Sequence, residues 1–174
     1  MAGVRIGFDL TRVFTSAQIG PSAGLGIGDQ APELGVVFED DVGNKYKFVK
    51  NTHTAAFAVG DVGGLDISGG LHTSVKKMAT AQLNLLAGVW MGAPATLGYG
   101  FIQKIGTNSS ILTDGGTDTV LGDSLKGVDA QFYVVKDQAV GTEATYVNTI
   151  ICLQAFTDTP AALKKGYIHC PYGL

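Results

Sequence analysis

The sequence predicts an all-β architecture: a Gly-rich antiparallel β-barrel or sandwich with an extended N-terminal arm. Two observations lead there. Short runs of β-prone residues are interrupted at close intervals by Gly, Pro, Asn or Asp, the pattern of compact antiparallel folds. Glycine supplies 25 of 174 residues while charged residues make up only 16%, below the roughly 25% of an average soluble domain. A surface so poor in charge is expected where other subunits cover it. The length fits one domain, and the sequence divides into an arm at 1–34 and a β-barrel domain at 35–174.

In the arm, Phe8, Leu10, Val13, Phe14 and Ile19 are spaced without a helical or strand period, and the Gly- and Pro-rich run from Gly20 to Pro32 holds no packed element. An apolar segment with no core of its own needs another surface. We read these five residues as contacts to a neighbouring subunit or partner. The alternatives are a strand closing one end of its own barrel, or terminal disorder. On the first reading, removing residues 1–34 abolishes attachment and leaves the barrel folded.

Gly35 to Asn51 reads as a hairpin turning at Asp41-Val42-Gly43-Asn44, with Tyr46 and Phe48 on one face and Glu39-Asp40-Asp41 opposite Lys45 and Lys47. Val59-Gly60-Asp61-Val62 and Leu121-Gly122-Asp123-Ser124 repeat one device: glycine permits the turn, and the aspartate accepts backbone N–H bonds there. The pair hints at two similar β-units. Strands are expected at Leu71–Met78, Leu85–Met91, Tyr99–Ile105, Ser110–Leu112, from Val120, at Gln131–Val135 and at Tyr146–Phe156. Ala79–Leu86 fits either helix or a bent strand. Asp158–Lys165 resembles one helical turn, with Pro160 at its first position, before a closing strand at Gly166–Cys170.

Within this order, Ala87-Gly88-Val89, Gly98-Tyr99-Gly100-Phe101-Ile102-Gln103, Gly122-Asp123-Ser124-Leu125 and Cys152-Leu153-Gln154-Ala155-Phe156 form a series of barrel strands and turns. Over roughly residues 34–170 it resembles the small β-barrel capsid decoration (cement) proteins of tailed bacteriophages. The resemblance implies a virion structural protein on the outer capsid surface, made in the host cytoplasm. It implies a homotrimer or similar cluster bridging the major capsid protein, with the arm residues as capsid or subunit contacts. A head–tail connector or tail protein is the alternative within that class. A carbohydrate-binding barrel with an aromatic groove near Trp90 is the alternative outside it.

The remaining patterns argue against other classes. A net charge of −3 disfavours nucleic acid, whose phosphates call for clustered Lys and Arg. The longest apolar run falls far short of the roughly 20 residues of a membrane span, and the start lacks the apolar centre of a signal peptide. Gly24-Leu25-Gly26-Ile27-Gly28-Asp29 lacks the Lys and Ser or Thr of a phosphate loop. His53, His72 and His169 lie apart and outside any zinc spacing. No nucleophile elbow is present. We therefore expect no enzyme, no cofactor, no metal, no nucleic acid and no membrane. Cys152 and Cys170 are expected as thiols, with pairing open if the last two strands are neighbours.

Overall fold

The computed structural model describes residues 9–19, 31–68, 72–79, 85–114, 118–137, 149–157 and 161–171. Ten strands form one continuous sheet: β1 (Val37–Glu39), β2 (Lys45–Asn51), β3 (Val62–Leu65), β4 (Ser74–Lys76), β5 (Leu86–Trp90), β6 (Tyr99–Thr113), β7 (Ser124–Gly127), β8 (Val134–Lys136), β9 (Thr149–Cys152) and β10 (Ala162–His169). The all-β expectation holds, and the sheet curls into a closed five-stranded barrel. Its ring runs β2-β4-β3-β5-β6 and back to β2. Beyond it, β6-β8-β7-β9-β10 form a second ring, closed by one parallel bridge between Thr113 and Val134.

The two rings have the same connectivity, and their hydrogen bonds repeat at a fixed interval. Gly60 donates to the Trp90 carbonyl and Trp90 to that of Asp61; Gly122 donates to Cys152 and Cys152 to Asp123. Phe57 donates to Pro94, and Thr119 to Phe156. Each residue of the second set lies 62 positions after its counterpart (122 minus 60, 152 minus 90, 156 minus 94). The twin Gly-Asp device in the sequence therefore marks a structural repeat. Its two units share β6, whose first half ends one barrel and whose second half begins the next.

That sharing explains the largest departure from the sequence expectation. Tyr99–Ile105 and Ser110–Leu112 are one 15-residue strand, because Gly106 at φ 110° bends the chain where a turn was expected. Asp158–Lys165 departs as well. Ala162–Lys165 belongs to β10, with Ala162 opposite Thr113 and Leu163 opposite Leu112, so cross-strand pairing overrides the local helical signal; residues 158–160 lie outside the described part. The first hairpin forms as expected. Glu39 pairs with Lys45, their charges 3.6 Å apart, and Gly43 sits at φ 86° in the turn. Val120–Asp123 is a turn, and strand β7 starts only at Ser124.

Every strand of the first ring sends a residue inward: Val49, Leu65, Val75, Ala87, Trp90 and Ile102, joined by Phe57. The second ring has the smaller Cys152 and Thr119 where the first has Trp90 and Phe57. Its cluster of Ile111, Leu125, Val134, Ile150 and Ile168 is completed by Val62, Leu86 and Val89 of β3 and β5 and by Met78. The two units thus share one buried cluster. Cys152 and Cys170 are buried thiols. Strands β9 and β10 are neighbours, but Cys152 lies opposite Gly166, four residues short of Cys170. At about 3.3 Å per residue that separation exceeds the reach of a disulfide.

Lys104, on β6, is fully buried. Burial pushes its pKa down to about 8; the neighbouring Cys170 opposes this and the Lys47 charge assists it. Burial likewise lifts Cys170 to about 12, and burial together with Asp40 lifts Tyr46 to about 12. The signs differ. Between pH 8 and 10.5 the unfolded chain holds a proton on Lys104 that the folded chain has released, so stability rises with pH. Above about pH 9 for Cys170 and pH 10 for Tyr46 the folded chain keeps protons that the unfolded chain loses, so stability falls. Urea unfolding should therefore give a stability that climbs from pH 8 to 9 and declines beyond 10. Lys104→Met should remove the climb and leave the decline; a climb that persists in the variant assigns it to another group.

Candidate interaction surface

The described part of the arm is a strap across the first barrel. Asp9 starts it by accepting bonds from the Thr11 amide at 3.0 Å and the Thr11 hydroxyl at 2.6 Å, which hold its carboxyl below the usual range. Phe14 then makes one antiparallel bridge, its N–H and carbonyl exchanging 2.8 Å bonds with those of Tyr99. A 3-10 turn, Ser16–Gln18, follows, with the Gln18 side chain accepting from the Thr15 amide at 2.8 Å.

Three glycines make the track. A Cβ on Gly92 would stand 2.5 Å from the Thr11 carbonyl oxygen, and one on Gly98 would stand 3.3 Å from that of Phe14. Gly100 lies against Val13 and the Trp90 ring. At Gly92 only a residue without a side chain lets the strap lie this close. The Gly98-Tyr99-Gly100 pattern signalled a strand in the sequence; its use as a seat depends on which segment crosses it.

The structure brings three of the five arm residues together. Phe14 is 3% exposed and meets Phe48 edge to face at 5.5 Å, within a cluster of Tyr46, Phe48, Tyr99 and Phe101. Leu10 and Ile19 pack against the same cluster. Val13 stays outside, 39% exposed. Phe8 lies outside the described residues. The strap therefore packs on its own subunit, against the face of β2 and β6 opposite to the inward Val49 and Ile102.

The second feature is the pair of glycine turns. In Ala58–Asp61 the Asp61 carboxylate accepts from the Ala58 amide at 2.7 Å, with Gly60 at φ 89°. In Val120–Asp123 the Asp123 carboxylate accepts from the Val120 amide at 2.8 Å, with Gly122 at φ 92°. The same geometry sits in opposite surroundings. Asp61 is buried, and burial raises its pKa against the pull of the Ala58 amide and Lys77. Asp123 forms an ion pair with Lys136 at 2.8 Å, which lowers its pKa. Both turns carry exposed aliphatics, Val59 at 48% and Leu121 at 70%.

Trp90 is fully buried among Phe57, Gly63 and Gly100, so its ring offers no face for a sugar to stack on. The recess beside it, about 250 Å³, is lined by Gln103 and Asn108, whose amides bond to each other at 2.9 Å. Among the described residues no three His, Cys, Asp or Glu side chains gather into a metal site. Comparison with protein-family models, curated proteins and solved structures finds no match to this chain.

Proposed function

We propose that this protein is a virion structural protein that decorates the outside of a tailed-phage capsid. In this reading a homotrimer or similar cluster bridges major capsid proteins at the capsid surface. The observation that carries the reading is the distribution of exposed aliphatic side chains. Val59, Leu97, Val120 and Leu121 are exposed at turns of the double barrel, which places apolar surface on its loops. The resemblance of the strand and turn series to phage decoration proteins supports it.

The mechanism follows from mass action. A protein that binds the mature shell better than its precursor stabilises the mature form, and many weak contacts repeated by symmetry raise the effective concentration of each. Of the four arm residues described, Val13 is the contact left for a shell protein in the folded subunit; Leu10, Phe14 and Ile19 hold the strap in place.

Mass spectrometry of purified virions tests the proposal directly. Hundreds of copies per particle are expected on a shell. A handful of copies would move the protein to the neck or tail, and its absence from particles would overturn the virion reading.

A further inference from the structure

Two loops of the first unit, residues 52–60 and 91–98, meet in one surface whose own residues carry no charge. Phe57 donates its N–H to the Pro94 carbonyl, and the Thr96 hydroxyl donates to the Thr54 carbonyl at 3.1 Å. Between them the buried Asn51 amide donates to the carbonyls of Ala55 at 2.9 Å and Ala95 at 3.0 Å, and accepts from the His53 N–H at 2.8 Å. The loops are therefore fixed before anything binds to them. Nine of their residues are exposed, five of them alanine and the others Thr54, Val59, Thr96 and Leu97. The sequence has no Asp, Glu, Lys or Arg from Asn51 to Gly60 or from Met78 to Gln103, whereas the matching stretches at the 62-residue interval carry Asp114, Asp118 and Asp158. Leu97 stands out among the nine. It has φ 59°, a conformation that glycine or asparagine takes at lower cost, and its side chain is 53% exposed, so neither the backbone nor the core gains from leucine there. The surface continues onto the strap, whose Thr11 and Val13 lie against Gly92. Arg12 and Lys50, over the rings of Phe14 and Tyr99, stand at its margin.

We propose that this loop surface, centred on Leu97, is where the subunit seats on the shell, and that its occupant is an uncharged apolar surface of the major capsid protein; this rests on the virion reading. An interface buries an uncharged centre inside a polar rim, and that is the arrangement here. The same lack of charge decides the partner's chemistry. A Lys or Glu brought against these loops would be buried without a counter-charge, which costs more than the contact returns. Size decides against a second copy of this chain. Nine exposed residues, mostly alanine, fall well short of the roughly 20–30 a side of a stable free interface. A contact repeated over a shell is strengthened by its neighbours, so a small surface suffices there.

The test is co-sedimentation of the purified full chain with capsids from phage deleted for it. The parent should sediment with the capsids. Leu97→Asn and Ala56→Asp should each weaken attachment by about tenfold or more, and Val42→Asn, at an exposed apolar residue of the β1–β2 turn, should leave it unchanged. Asparagine tolerates a positive φ, so Leu97→Asn should melt no lower than the parent, which separates lost attachment from lost folding. A parent that stays in the supernatant overturns the virion reading and this inference with it. A parent that attaches while both loop variants attach equally well overturns the inference alone, as does an equal loss in Val42→Asn. Self-association of the free chain, seen by light scattering and abolished by Leu97→Asn, makes the occupant a second copy and overturns it too.

Discussion

Gly60→Ala is expected to destabilise the protein by about 2–5 kcal/mol, and Gly122→Ala, the same change at the equivalent place, by only about 1–2. Both glycines have φ near +90°, where a side chain costs about 1–2 kcal/mol for backbone strain alone. At Gly122 that is the whole cost, because the new methyl group enters open space. At Gly60 the methyl group meets the Ser110 carbonyl and Leu163, and one of these is main chain in the middle of β6. Relieving the overlap means moving the strand that the two barrels share, an overpacking cost of about 1–3 kcal/mol more. For a chain of this size each kcal/mol shifts Tm by about 2–4 °C, so the pair should separate clearly in thermal melts. Equal losses would show that the second unit does not press on the first turn as described.

Phe14→Ala is expected to cost about 3–4 kcal/mol. The side chain is 3% exposed within a cluster of four other aromatic rings, and removing a buried phenyl group forfeits both its transfer energy and the packing around the space left behind. The strap is otherwise held to Tyr99 by two backbone bonds, so the variant should expose the Arg12 peptide bond to trypsin while the rest of the barrel resists. Val13→Ser touches the opposite side of the same segment and should stay within about 0.5 kcal/mol of the parent. In the proposed capsid setting it should nevertheless weaken attachment. Deleting residues 1–34 is a poorer test than the sequence suggested, since it removes Phe14 from the core along with any contact. A Phe14→Ala protein as stable as the parent would overturn the description of the strap as part of the barrel.

The sequence by itself determined the fold class, the first hairpin and the two glycine turns, because each rests on local chemistry. Alternating residues from Val37 to Phe48 fix a strand pair, Gly43 fixes its turn, and Gly60 and Gly122 fix tight turns braced by the next aspartate. The same twin signal hinted at the repeat. The tertiary structure alone decided how the two units join. Gly106 and the residues after it carry every local mark of a break, and only pairing with β2 on one side and β10 on the other makes them the middle of a single long strand. Ala162–Lys165 became strand for the same reason, non-local hydrogen bonds outweighing helical propensity. The arm residues were legible as apolar and unattached, but their surface was not. Three glycines separated from them by some eighty residues of chain form the track, and contacts that distant in sequence leave no local pattern. What distinguishes Gly60 from Gly122 is likewise invisible in the sequence, since the turns are alike and only the strand lying on one of them differs.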